Sequence, residues 1–157
     1  EKGKTDATYF GKDLSNQELE SPAPFRWANF DRTLCDWVGP AHEGKGQILN
    51  RRPWKDGNME TNWVRIGHCI LPPGTSIGYH KHTATEEVYY VISGSGRSTV
   101  NDYTCDVGPG DAIPCTLNDS HGIYNNSDDD LEIFVLIVAM ENGKFGVVNH
   151  GDDLSDR

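Results

Sequence analysis

From Gly44 onward the chain alternates short apolar stretches with turn residues. The stretches are VRIGHCIL, SIGYHKH, VYYVI, RSTV, YTCDV, AIP, HGIYN and LEIFVLIVAM, and the turns between them are PPGT, SGSG, ND, GPGD and NSDDD. Strands of about 4 to 8 residues, punctuated this regularly, predict an all-β sandwich or barrel. LEIFVLIVA is apolar on both parities and rich in β-branched residues, which predicts a strand covered on both faces rather than a short helix. Residues 1–43 show neither helical nor strand periodicity. Their aromatic residues Phe25, Trp27, Phe30 and Trp37 predict an arm laid onto the barrel or a partner subunit, and Pro22 and Pro24 would end any helical turn in NQELESPAP. The organisation read from this pattern is an arm of residues 1–43 followed by a single barrel of residues 44–157.

A length of 157 residues fits one domain with a real core. With 14 Lys and Arg against 24 Asp and Glu, the net charge of -10 repels phosphate backbones and anionic membranes, so neither nucleic acid nor a membrane is expected as a partner. No apolar run approaches the roughly 20 residues of a bilayer-spanning helix, and no leader pattern is visible. The chain begins at Glu1 without a methionine, which leaves both a cytoplasmic location and export with a removed leader open. Cys35, Cys69, Cys105 and Cys115 show no CxxC spacing, and buried free thiols are expected rather than disulfides.

The candidate chemistry sits in YHKHTATEEVYYVISG. Side chains alternate along a strand, so His80 and His82 share a face while Lys81 takes the other. If Thr83 to Glu86 form a four-residue hairpin loop, His82 and Glu87 are opposed across a ladder and the carboxylate joins the two imidazoles. A three-residue loop would present Glu86 instead. Inward parity then continues to Tyr89 and Val91, leaving Val88 and Tyr90 on the other side. Tyr89 is read either as a core aromatic or as a catalytic proton donor or acceptor beside a metal-bound substrate. His121 is the candidate fourth ligand from a distant strand. Three imidazoles and one carboxylate suit zinc, iron, manganese, nickel or copper, so one divalent transition metal ion is expected.

These residues resemble the signatures of the cupin superfamily. The first runs Gly, five residues, His-x-His, three or four residues, Glu, six residues, Gly, and Gly74, His80, His82, Glu87 and Gly94 match it. The second runs Gly, five residues, Pro-x-Gly, two residues, His, three residues, Asn. Gly108, Pro114, His121 and Asn125 match, whereas Thr116 replaces the glycine and the stretch to His121 is two residues longer, which predicts a reshaped loop. The resemblance implies a cupin-type jelly-roll β-barrel with the metal on His80, His82, Glu87 and His121, and often a homodimer.

The remaining candidates have blander readings. His68 is expected to be structural, and His42 and His150 to lie at the surface. Arg65 and Arg97 are expected at the surface too, unless they reach the cavity to hold a carboxylate or phosphate. Asp128 to Asp130 reads as a solvated turn, and the glycosylation-like triplets at Asn118 and Asn125 as chance. The function expected is a mononuclear metal enzyme acting on a small oxygen-rich organic substrate. Dioxygenase-type chemistry ranks slightly ahead of isomerase, lyase or decarboxylase chemistry. The alternative is a non-catalytic sugar or small-acid binding module, with a storage role third.

Overall fold

The computed structural model describes residues 28–55 and 58–157. Phe25, Trp27 and the expected turn in NQELESPAP therefore lie outside the described residues. A 3-10 turn, Arg32–Leu34, is capped by Asp31, whose carboxylate accepts from the Thr33 backbone N–H. The strands that follow are β1 (Asp36–Val38), β2 (Ile48–Lys55), β3 (Trp63–Leu71), β4 (Ser76–His82), β5 (Thr85–Ser93) and β6 (Gly96–Val100). They continue with β7 (Tyr103–Val107), β8 (Ala112–Cys115), β9 (Ser120–Tyr124), β10 (Leu131–Ala139) and β11 (Val147–Asn149). Among the described residues no helix is long and apolar enough to cross a membrane.

The strands form two antiparallel sheets, one ordered β1-β2-β3-β10-β5-β8 and the other β11-β4-β9-β6-β7. This is the expected all-β jelly-roll architecture. Three strands were not visible in the hydrophobic pattern. In β2, ILNRRPWK, two arginines and a proline hide the period, and Pro53, which has no N–H to give, lies where the pairing with β3 shifts register. β1 and β11 are three-residue edge strands, too short to show a period.

Interior faces alternate as parity requires. On β10, Leu131, Ile133, Val135, Ile137 and Ala139 are buried, whereas the intervening residues are half-buried. The first four meet Leu71, Ile77, Val91 and Ile123 in one core. The outer face of β10 is covered in part by Phe30, whose ring stands edge-on to Phe134 with centroids 4.8 Å apart. Trp37, expected to pack in the same way, is 60% exposed. His68 lies under this cover, fully buried, with Nε2 2.5 Å from the Glu132 carboxylate and Nδ1 3.6 Å from Cys35 Sγ, so its structural reading agrees with its place. All four cysteines are free, but only Cys69 and Cys115 are buried, and Cys105 stands exposed on β7.

One expectation about register is corrected. Thr83 to Glu86 do not close a hairpin, because β4 pairs with β9 and β11 whereas β5 pairs with β10 and β8. The chain leaves one sheet at His82 and enters the other at Thr85. His82 and Glu87 face each other across the interior instead of along a ladder.

Candidate metal centre

The β4/β9 ladder pairs His80 with His121, which sets two imidazoles side by side on one inner face. His82 follows His80 on the same face, and Glu87 enters from β5 in the opposite sheet. The loop before His121 is longer than the signature, yet it is clamped to the end of β4. Asn118 N–H donates to the His82 carbonyl at 2.8 Å, and His82 N–H donates to the Asp119 carbonyl at 3.0 Å. Asn118, at φ 70, and a Thr116–Asp119 hydroxyl–carboxylate bond of 2.6 Å absorb the extra residues. His121 therefore reaches the site.

His80 Nε2 lies 3.0 Å from His82 Nε2, which is 3.1 Å from His121 Nε2 and 2.9 Å from Glu87 Oε2. His121 Nε2 is 3.5 Å from the same carboxylate oxygen. All four residues are buried, and their donor atoms lie within 4.8 Å of one another, a group that could hold a metal ion. Glu86, the competing ligand, is exposed and instead accepts a bond from the Leu117 N–H.

The hydrogen bonds around the rings make the case for a cation. His80 Nδ1 lies 2.7 Å from the Gly78 carbonyl, which can only accept, so the proton is on Nδ1 and Nε2 carries a bare lone pair. Thr85 Oγ1, 2.6 Å from His82 Nδ1, can fix the second ring in the same way. Bare nitrogens 3.0 Å apart, facing a carboxylate, repel unless a positive charge stands between them. Two donors bonded at about 2.0–2.2 Å to one ion are separated by at most about 4.4 Å, so the close contacts fit and the widest needs only a small side-chain rotation. Burial, with His121 and His42 adding to it, pushes His80 down to about 2 and keeps it neutral. Burial alone would raise the Glu87 carboxyl, but with no ion between them His121 and His82 can turn an Nε2–H toward it, and these bonds outweigh burial and hold it well below the usual carboxylate range.

Tyr89 is inward, 1% exposed, and stacked on the His121 ring with centroids 4.5 Å apart and planes 15° from parallel. Burial, then the Glu87 charge, pushes its phenol well above the ordinary value, so it is a neutral O–H. Neither this hydroxyl nor His121 Nδ1 has a hydrogen-bond partner among the described residues.

Beside His82 and Glu87 opens a cavity of about 440 Å³, and its lining includes His42, Arg52, Lys55, Arg65 and Thr85. Two surface expectations are corrected here. His42 is half-buried and stacks on His80 with centroids 3.8 Å apart, its Nδ1 being 3.1 Å from Asn149 Oδ1. Arg65 turns inward with a buried Nε that no described residue accepts from. The β3 parity could have found it, since Arg65 shares its face with Cys69 and Leu71. Nothing periodic reaches His42. Arg97, by contrast, stays away from the cavity lining, with its guanidinium 5.6 Å from the Tyr124 ring centroid. His150 is exposed, as expected.

The Cupin domain family model matches residues 67–138. An oxalate-binding protein of Thermotoga maritima is 36% identical over 97 residues, which span 62% of this chain and 80% of that protein. The chain is a cupin. Among solved structures, this cupin resembles a predicted oxalate decarboxylase from Thermotoga maritima, at TM-score 0.66 and 27% identity over 68% of this chain and 92% of the other. It shares its fold with KdgF from Halomonas sp., at TM-score 0.54 and 20% identity over 69% and 93% of the two chains.

Proposed function

We propose that this cupin binds a small carboxylate-bearing organic molecule against a divalent transition metal ion held by His80, His82, Glu87 and His121, and transforms it there. The observation that carries the reading is charge. Arg52, Lys55 and Arg65 line one cavity beside the ligand set, in a chain whose net charge is -10. Cations gathered in one concavity of an acidic protein favour entry of a small anion. When bound, the ion supplies Lewis-acid polarisation of a substrate oxygen.

The chain's own groups do the rest. Arg65 offers a planar guanidinium with an unused N–H to a carboxylate. Val64, Ile137 and Phe145 give the same cavity an apolar part of its lining. Tyr89, neutral and buried, acts as a hydrogen-bond donor rather than as a base. The oxalate-binding relative supports a carboxylate ligand, and the solved structure of a predicted oxalate decarboxylase favours lyase chemistry, with loss of a carboxyl group, over the dioxygenase-type chemistry that ranked slightly ahead in the sequence analysis. Binding without turnover is the second reading, favoured by that same relative's description.

Metal analysis with calorimetry tests this. About one ion per chain is expected, with small carboxylates binding only to loaded protein and Arg65→Met weakening them by about tenfold or more without loss of metal. Equal carboxylate binding by stripped protein would sink the proposal. Binding without release of carbon dioxide selects the second reading.

A further inference from the structure

We infer that the substrate is larger than a two-carbon diacid and occupies two connected compartments: its metal-binding oxygens lie in the outer cavity and its body in an inner chamber that ends on the Tyr89 hydroxyl. This rests on the reading above and specifies its substrate as an organic acid with a short carbon chain and a polar group at the far end.

The inner chamber has a volume of about 330 Å³ and lies between β1, the start of β2 and the inner face of the barrel. Its walls include Val38, Ala41, Ile48 and Ile77, and its polar lining includes Asn50 and Tyr89. His42, Arg52, Arg65 and Glu87 line both compartments, so the two adjoin at the ligand set. Pockets of roughly 300–1,000 Å³ hold ligands of many atoms. A diacid of six non-hydrogen atoms would fill one end of the outer cavity and leave the chamber empty.

Two orphaned groups point the same way. Buried polar atoms in folded proteins are almost always hydrogen-bonded. The Tyr89 hydroxyl and Arg65 Nε are both buried without an acceptor among the described residues, and both residues line the chamber. Arg65, at the junction, suits the acid's charged end. Tyr89 lies one inward position beyond Glu87 on β5 and suits a neutral hydroxyl or carbonyl at the other end. The aliphatic walls between them suit methylene groups.

The test is calorimetric titration of protein loaded with Mn²⁺, its occupancy measured first, with oxalate, pyruvate, 2-oxohexanoate and 6-hydroxy-2-oxohexanoate. Each buried methylene favours binding by about fourfold, so 2-oxohexanoate should bind at least about tenfold more tightly than pyruvate. Ile48→Phe, which fills the chamber, should erase that gain and leave pyruvate unchanged. The near-isosteric Tyr89→Phe should erase only the advantage of the terminal hydroxyl, which keeps the inference testable if Ile48→Phe fails to fold. Equal affinity for pyruvate and 2-oxohexanoate, a chain-length gain untouched by Ile48→Phe, or a terminal-hydroxyl advantage untouched by Tyr89→Phe overturns the inference and leaves the metal-bound carboxylate reading standing. If none of the four acids binds loaded protein, that reading fails and the inference falls with it.

Discussion

His82 and Glu87, five positions apart in the chain, meet from opposite sheets with Nε2 and Oε2 2.9 Å apart. The contact therefore bridges the two halves of the sandwich. Glu87→Gln keeps the shape of the side chain but removes its charge, so metal retention should fall by at least about 100-fold, beyond the 10–100-fold effect of changes behind the ligands. Glu86→Gln, on the exposed face of the same strand, should leave retention unchanged. Chelator competition on the two variants reads the difference, and equal losses would displace Glu87 as the ligand.

Thr85 is buried and its hydroxyl lies 2.6 Å from His82 Nδ1. Thr85→Val preserves volume and removes the hydroxyl from His82 Nδ1, so the ring loses the contact that can fix its tautomer. Metal affinity should drop by about 10–100-fold with the fold intact. A chelator titration alongside near-ultraviolet circular dichroism checks both halves, and unchanged affinity would mean the hydroxyl does not orient His82.

Acid should destabilise the metal-free protein earlier than its carboxylates alone would require. Burial lowers His80 from 6.5 to about 2 in the folded state, so between those values the unfolded chain binds a proton that the folded chain refuses. Stability then falls as pH drops below 6.5, by up to about 1.4 kcal/mol per pH unit from this group. Glu87, also lowered in the folded state, adds to the loss below its ordinary value of 4.5. Thermal melts of stripped protein from about pH 7.5 to about pH 5 should show a falling midpoint, and His80→Asn should make the fall shallower, leaving the part that His42, lowered by burial too, contributes. A flat profile in the unsubstituted protein would refute the neutral, buried His80.

Much of the cluster of His80, His82, Glu87 and His121 was legible because its residues occur in signature register on strands whose parity is clear. His80 and His82 needed only alternation, and Tyr89 and Val91 followed from Glu87. The partner of Glu87 was right for a wrong reason: a hairpin and a crossover between facing sheets both bring His82 and Glu87 together, and local sequence does not separate them. β2 was lost because its inward and outward positions both carry polar residues, Asn50, Arg51 and Arg52, several of which serve the cavity instead of the core. His42 could not be found because its placement depends on a loop with two left-handed residues, His42 at φ 50 and Glu43 at φ 59, docked on a strand far away in sequence.

That docking gives the last prediction. Gly78 N–H donates to the Ala41 carbonyl at 3.0 Å, and the Gly78 carbonyl takes the Nδ1 proton of His80. A Cβ at Gly78 would overlap the His42 carbonyl oxygen and stand 2.7 Å from Gly44 N. Both obstacles are backbone, so the loop must lift, and His42 must leave the face of His80. Gly78→Ala should therefore cost roughly 1–3 kcal/mol in urea unfolding of metal-free protein, as overpacking does. It should also weaken metal binding, because His80 loses its stacked neighbour and its oriented carbonyl together. Gly74→Ala is the control. That glycine has φ +76 but nothing within 4 Å of an added Cβ, so the change costs about 1–2 kcal/mol of backbone strain and meets no neighbour. Stability should fall in both variants, metal affinity in Gly78→Ala alone. Equal affinity in the two would show that the loop bearing His42 covers the site without holding His80 in place.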